Sequence, residues 1–163
     1  MIQRRQWRRS VVLGSLAVFA VAVFAVAGCA TMETPKMSAA DAIAQRQRLM
    51  KLNGALWSDA QAKAKAGQFE AIAVDAEAMA LNTPRIPALF PEGSLSDKSA
   101  AKPEIWQKWP EFEASVKNFQ TWAEKLRDAA RSKDANATQA VMREFGKNAC
   151  GSCHTPFRVP PKS

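Results

Sequence analysis

Cys150-Gly151-Ser152-Cys153-His154 is the stretch from which the rest of the chain is read. It has the form C-x-x-C-H, the attachment signature of a c-type haem. Two thiols three residues apart each add to one vinyl group of the haem, and the histidine that follows lies under the iron as its proximal ligand. Val141, Met142 and Phe145, just upstream, are spaced for a helix. On a helix Cys150, Cys153 and His154 fall at i, i+3 and i+4 and share one face. The chain has a single histidine, and it is this one. It therefore offers no bis-histidine iron and no zinc site that needs a second imidazole. A redox dithiol of C-x-x-C type opens a helix in a βαβ fold, and no strand pattern accompanies this one. A plain disulfide in an exported protein stays open but leaves the adjacent histidine without a role.

Export is written at the other end. Of the formal net charge of +8, four positive charges are Arg4, Arg5, Arg8 and Arg9, placed before an uncharged run from Val11 to Gly28. A basic start, an apolar run and a small-residue end make a signal peptide over residues 1–28; by length alone the run also fits a membrane anchor. The remainder carries 19 basic against 15 acidic residues. That is a weak basic bias, not a nucleic-acid footprint, and haem propionates would offset part of it. Val26-Ala27-Gly28-Cys29 resembles the lipobox of bacterial lipoproteins. The resemblance implies a diacylated Cys29 as the new N-terminus, and Ala30 after it implies sorting to the outer membrane. Cleavage after Ala27 with Cys29 left as a free thiol, and a retained anchor, remain alternatives. The arginine pairs do not argue for twin-arginine export, because c-type haem is attached after the chain has crossed unfolded.

Between these ends the pattern is helical throughout. Residues 29–37 lack apolar periodicity and read as a tether. Ser38 with Asp41 three residues on is a capping-box variant, and Gly67 closes the first helix. Its apolar line is Ile43, Met50, Gly54 and Trp57, with Gln47 on the same line. A second helix spans Gln68 to Leu81 and ends at Asn82-Thr83-Pro84. Pro84, Pro87, Pro91, Gly93 and Pro103 then argue against helix. A connection of roughly twenty residues is long for a compact domain, and a crossover along a helical bundle explains it. A third helix runs from about Pro110 to Arg131, burying Phe112, Val116, Phe119, Ala123, Leu126 and Ala130. Asp134 caps a fourth from about Ala135 to Thr155, stopped by Pro156. The spacing predicts an all-α four-helix bundle over residues 38–163, with a long crossover between helices two and three. Alanine-rich helices bury little each, so a covalently bound haem would supply much of the core.

Over roughly Asp41 to Arg158 the chain resembles the class II c-type cytochromes, the cytochrome c′ and cytochrome c556 group. Besides the haem motif, Arg46-Gln47-Arg48-Leu49-Met50 is similar to the family's R-x-x-x-M/L element in helix one. Leu89-Phe90-Pro91-Glu92-Gly93-Ser94 and Lys102-Pro103-Glu104-Ile105-Trp106 are similar to its crossover signature, and Arg158 matches a basic residue beside the proximal face. Gly151-Ser152 departs from the basic or bulky residues often found between the family's cysteines, and a lipid anchor is unusual for it. The resemblance implies one haem c, with Arg46 on a propionate and Met50 over the open side of the iron. Trp57, Trp106, Trp109 and Trp122 read as core residues, some against the porphyrin.

The reading is a periplasm-facing haem protein of the cytochrome c′ type, in electron transfer, in binding nitric oxide or carbon monoxide, or in both. The alternative is a low-spin carrier of the c556 type with His154 and Met50 on the iron. The reading from another class is a lipid-anchored helical structural protein with a Cys150–Cys153 disulfide. No catalytic constellation points to an enzyme. Redox proteins or a diatomic gas are the expected partners, with the membrane through Cys29. The family's dimers use the first two helices, where Ala55, Ala62 and Ala66 allow close approach.

Overall fold

The computed structural model describes residues 37–160, which form one compact unit. The expected signal peptide, Cys29 and the tether up to residue 36 lie outside the described residues. α1 (Ala39–Lys65) starts at Ser38, whose Oγ accepts from the Asp41 amide at 3.1 Å and donates to the Asp41 carboxylate at 2.6 Å. That pair satisfies an amide which the first helical turn leaves unbonded. Gly67 follows at φ +71°, where a side chain would be strained. α2 (Phe69–Asn82) turns back and buries Ile72, Ala73, Asp75, Ala76, Met79 and Ala80. Lys63 of α1 meets the nearly buried Asp75 at 2.7 Å, tying the two helices at this end.

The crossover is more ordered than its prolines suggested. Two 3₁₀ turns, Thr83–Arg85 and Pro87–Leu89, continue from α2. Pro84 is the second residue of its turn and Pro87 the first of its own, positions where a fixed φ suits a tight turn and the missing N–H would be unpaired anyway. The chain reverses at Gly93, with φ +75°, and a one-turn α3 (Glu104–Gln107) leads into α4 (Trp109–Arg131). The six residues that α4 buries are the six expected of it. Asp134 then caps α5 (Ala135–Phe145), its Oδ1 accepting from the amides of Asn136 and Ala137 at 2.9 and 3.0 Å.

The fourth helix differs from the uninterrupted one expected. After α5 the backbone opens into a π turn, Gly146–Cys150, in which the Gly151 amide bonds to the Gly146 carbonyl five residues back. α6 (Gly151–Phe157) completes it and carries Pro156 inside its last turn instead of stopping before it. The proline is tolerated there because α6 ends one residue later, with the Arg158 amide donating to the His154 carbonyl at 3.1 Å.

α1, α2, α4 and the α5–α6 segment form the bundle. The largest interface is α2 on α4, followed by α1 on α2 and α4 on α5. Phe112, Phe145, Ile72, Met79 and Leu126 are fully buried there, each contributing about 1.5–3 kcal/mol by leaving water. Among the described residues there is no strand; one isolated bridge joins Ala101 to Arg158. No helix among them is long and apolar enough to cross a membrane.

Candidate functional site

α1 does not close onto the rest of the bundle along its whole length. Between it, the crossover, α4 and α6 lies a cavity of about 660 Å³, within the range of small-molecule and cofactor sites. Gln47, Met50, Gly54 and Trp57 form its α1 wall, and Ala149, Cys150, Cys153, His154 and Phe157 form the wall of the π turn and α6. Phe112, Val116 and Phe119 of α4 and Ser99 to Ala101 of the crossover complete it. The apolar line of α1 thus divides. Ile43 is buried in protein; Gln47, Met50, Gly54 and Trp57 face the cavity. The buried positions are Ala42, Ile43, Arg46, Leu49, Asn53 and Ala60, of which Arg46 and Asn53 also border the cavity. Trp57 is fixed by stacking on Phe145, with ring centroids 4.6 Å apart. Trp106, Trp109 and Trp122 pack against the core and do not line the cavity.

The three residues of the haem motif are brought together as expected. Both thiols are free and half-buried. Burial pushes the Cys153 thiol up to about 11 and raises Cys150 as well. A redox-active C-x-x-C has a lowered thiol pKa; burial acts on this pair in the opposite direction. The His154 ring is exposed at the mouth of the cavity, yet enough protein surrounds it that burial lowers its pKa, with the charge of Arg158 adding to the effect. A neutral imidazole is the form that ligates a metal.

Arg46 borders the cavity, and its side chain is also tied to the crossover. It is 4% exposed, and its guanidinium is bound by the crossover. Nη1 donates to the Leu89 carbonyl at 3.3 Å and to Ser94 Oγ at 2.9 Å; Nη2 donates to the Ser94 carbonyl and to Ser99 Oγ, both at 2.6 Å. The four Nη–H donors are thereby used, and one face of the group lies over the Phe90 ring at 4.8 Å. Its charge has no carboxylate partner among the described residues, and burial lowers its pKa. Arg158 is exposed at the end of α6, at the cavity rim, where its backbone bridges to Ala101. The adjacent amides of Lys102 and Val159 donate to the Phe157 and Ala100 carbonyls at 3.0 and 2.8 Å, closing the crossover over α6.

Several contributors carry no helical-pattern signal. Ser94 and Ser99 hold Arg46 from 48 and 53 residues away. Asn118 of α4 donates to the Asn148 carbonyl at 2.6 Å and to Ser152 Oγ at 3.1 Å, which fixes the π turn from outside. A hint lay in the composition: a short polar residue between two buried ones on an amphipathic helix invites a tertiary bond.

The cavity suits haem on three counts. Two thiols and an imidazole lie on one wall. The charged residues lining it are Arg46, Lys51 and Arg158, all cations, which complements a group with two carboxylates. Gly54 costs the middle of α1 about 1 kcal/mol relative to alanine, and no atom beyond its own stretch of helix lies within 4 Å of where its Cβ would be. The glycine leaves room that no protein group uses.

A family model for cytochrome c′ matches residues 41–158. Cytochrome c-556 of Agrobacterium fabrum is 30% identical over 124 residues, covering 74% of this chain and 83% of that protein. Cytochrome c-554 of Cereibacter sphaeroides is 39% identical over 75 residues, 44% of this chain and 48% of that protein; the chain spans about half the length of the c-554 relatives it matches. The crystal structure of cytochrome c′ from Thermochromatium tepidum superposes with a TM-score of 0.67 at 25% identity, covering 77% of this chain and 99% of that one.

Proposed function

This chain belongs to the cytochrome c′ family, and we propose that it is a one-electron carrier in which His154 and the Met50 sulfur would both ligate the iron of its haem. Like the proteins of its family it carries one covalently bound haem c and works in the periplasm. Haem c supplies an iron that alternates between ferric and ferrous, and a methionine ligand raises its potential. Cys150 and Cys153 would hold the group, and His154 would fix one axial position.

The observation that carries the reading is the place of Met50. Of the methionines among the described residues, it alone lines the cavity, on a different wall from His154. Met79 is fully buried in the α2–α4 core, and Met142 stands on the segment that carries His154. The test is the spin state of the haem-loaded ferric protein. We expect a low-spin wild type and a high-spin Met50→Ala that gains carbon monoxide binding in the ferrous form. A high-spin wild type, with Met50→Ala changing only the rate of gas entry, would contradict the carrier reading.

That second outcome describes the gas-binding reading, and Gly54 favours it. Beside Met50 the α1 wall has open space at Gly54 and an indole at Trp57. An apolar space beside the iron would suit nitric oxide or carbon monoxide. Two further proposals concern assembly. Diacylation of Cys29 would tether the domain to the outer membrane, since two chains suffice for stable anchoring; Cys29→Ser should then move the protein from the membrane to the soluble periplasmic fraction, and no movement counts against it. A homodimer through α1 and α2 is supported by the exposure of Leu52, Val74 and Leu81 on those helices.

A further inference from the structure

We propose that Lys51, and not Arg46, is the residue of α1 that pairs with a haem propionate in this protein. The inference rests on the haem reading above and concerns how the cavity's charge is arranged. Three cations line the cavity and no carboxylate does, so the negative charge that balances them comes with the bound group. Which cation is free to meet it is decided by hydrogen bonding.

Arg46 is not free. Its four Nη–H donors are held by the Leu89 and Ser94 carbonyls and by the Ser94 and Ser99 hydroxyls. A propionate seated on it through two N–H groups would have to displace at least two of these bonds. That would strand buried acceptors, among them Ser94, which is 0% exposed. Only the Nε–H is left over. Arg46 therefore acts as a staple: it fastens the crossover to α1 and so sets the roof of the cavity.

Lys51 has the opposite character. It lines the same cavity, is exposed, and has no ion pair or side-chain hydrogen bond among the described residues. Its helical neighbours at three and four residues are Gln47, Arg48, Gly54 and Ala55, so no acid on its own helix is placed to pair with it and Arg48 repels it. From Ala42 to Ser58, α1 contains Arg46, Arg48 and Lys51 and no carboxylate. A lysine ammonium is a point charge on a flexible four-carbon stem, which lets it follow a carboxylate at the solvent side of the cavity without disturbing the crossover. Arg158 enters the cavity from the end of α6, beside His154, so α1 and α6 each offer one uncommitted cation.

The test compares reduction potentials of haem-loaded wild type, Lys51→Gln, Lys51→Arg and Arg48→Gln at one pH and low ionic strength. A cation on a propionate offsets negative charge felt at the iron and favours the reduced state. Lys51→Gln should lower the potential, Lys51→Arg should restore it, and Arg48→Gln, a cation of α1 outside the cavity, should leave it near the wild-type value. An unmoved potential in Lys51→Gln overturns the proposal. An equal shift in Arg48→Gln also overturns it, because the effect would then be a long-range one. A crystal structure of the haem-loaded protein gives the direct answer: Lys51 Nζ within about 4 Å of a propionate oxygen, with Arg46 still on Ser94 and Ser99. A propionate on Arg46 with those bonds broken overturns it. Intact mass separates the two levels: a wild type without haem refutes the haem reading and this proposal together, whereas haem-loaded variants with unmoved potential refute the proposal alone.

Discussion

α4 and α1 are the two longest helices described, 23 and 27 residues, and they are built for different partners. α4 buries six apolar residues at helical spacing, all of them packed in the protein core, although Phe112, Val116 and Phe119 also border the cavity. α1 buries an arginine and an asparagine at the edge of the cavity, and turns Gln47, Met50, Gly54 and Trp57 to it. By the rule that buried apolar area drives folding, α4 is a self-sufficient core element. α1 is complete only when something apolar and anionic lies against it. The difference teaches that a helix shaped for a cofactor is recognised by what its pattern lacks: a glycine with open space before it, a methionine outside the core, and cations without carboxylates.

The largest effect should come from breaking α4. Phe112 is 1% exposed and contacts Phe90, Trp109 and Phe157, with ring centroids 4.8–5.5 Å apart. Phe112→Ala should cost about 3–5 kcal/mol, read as the shift of the denaturation midpoint at unchanged slope. A loss under about 1 kcal/mol would mean that the α4 core repacks freely and the contrast with α1 is overstated. Next in size is Arg46→Met. It keeps the volume but leaves the Ser94 carbonyl without its donor, a loss of about 2–4 kcal/mol, accompanied by faster proteolysis in residues 86–101. If Arg46→Met is as stable as the wild type but loses haem, Arg46 belongs to the cofactor and not to the crossover. Smallest in stability should be Met50→Ala, about 1 kcal/mol in the haem-free protein, because Met50 is only half-buried there; its large effect is the spin-state change described above.

What was legible in the sequence follows the same division. The α4 stripe, the Ser38 and Asp134 caps and the Gly67 turn were readable because each depends on neighbours within a few residues or on a protein partner. The haem motif was readable because its chemistry requires one fixed spacing. The α1 line was read as one apolar stripe, since periodicity registers a face and not what covers it. The crossover bonds to Arg46 were not legible, because they come from 43 or more residues away and no local pattern reports them. The π turn before Cys150 was invisible, as one extra residue in a turn leaves no mark in composition. Cys29 and the signal peptide fall outside the described residues, so they stand on the sequence alone.

Hydrogen exchange of α1 against α4 tests the central claim most directly, measured in the haem-loaded protein and in a haem-free Cys150→Ser/Cys153→Ser variant. Local opening is governed by the contacts each segment makes. The account predicts that amides in residues 116–126 of α4 stay protected in both proteins, whereas those in residues 47–57 of α1 are protected when haem is bound and exchange much faster without it. Equal protection of the two segments in the haem-free variant would contradict it, because α1 would then be as complete on protein contacts as α4.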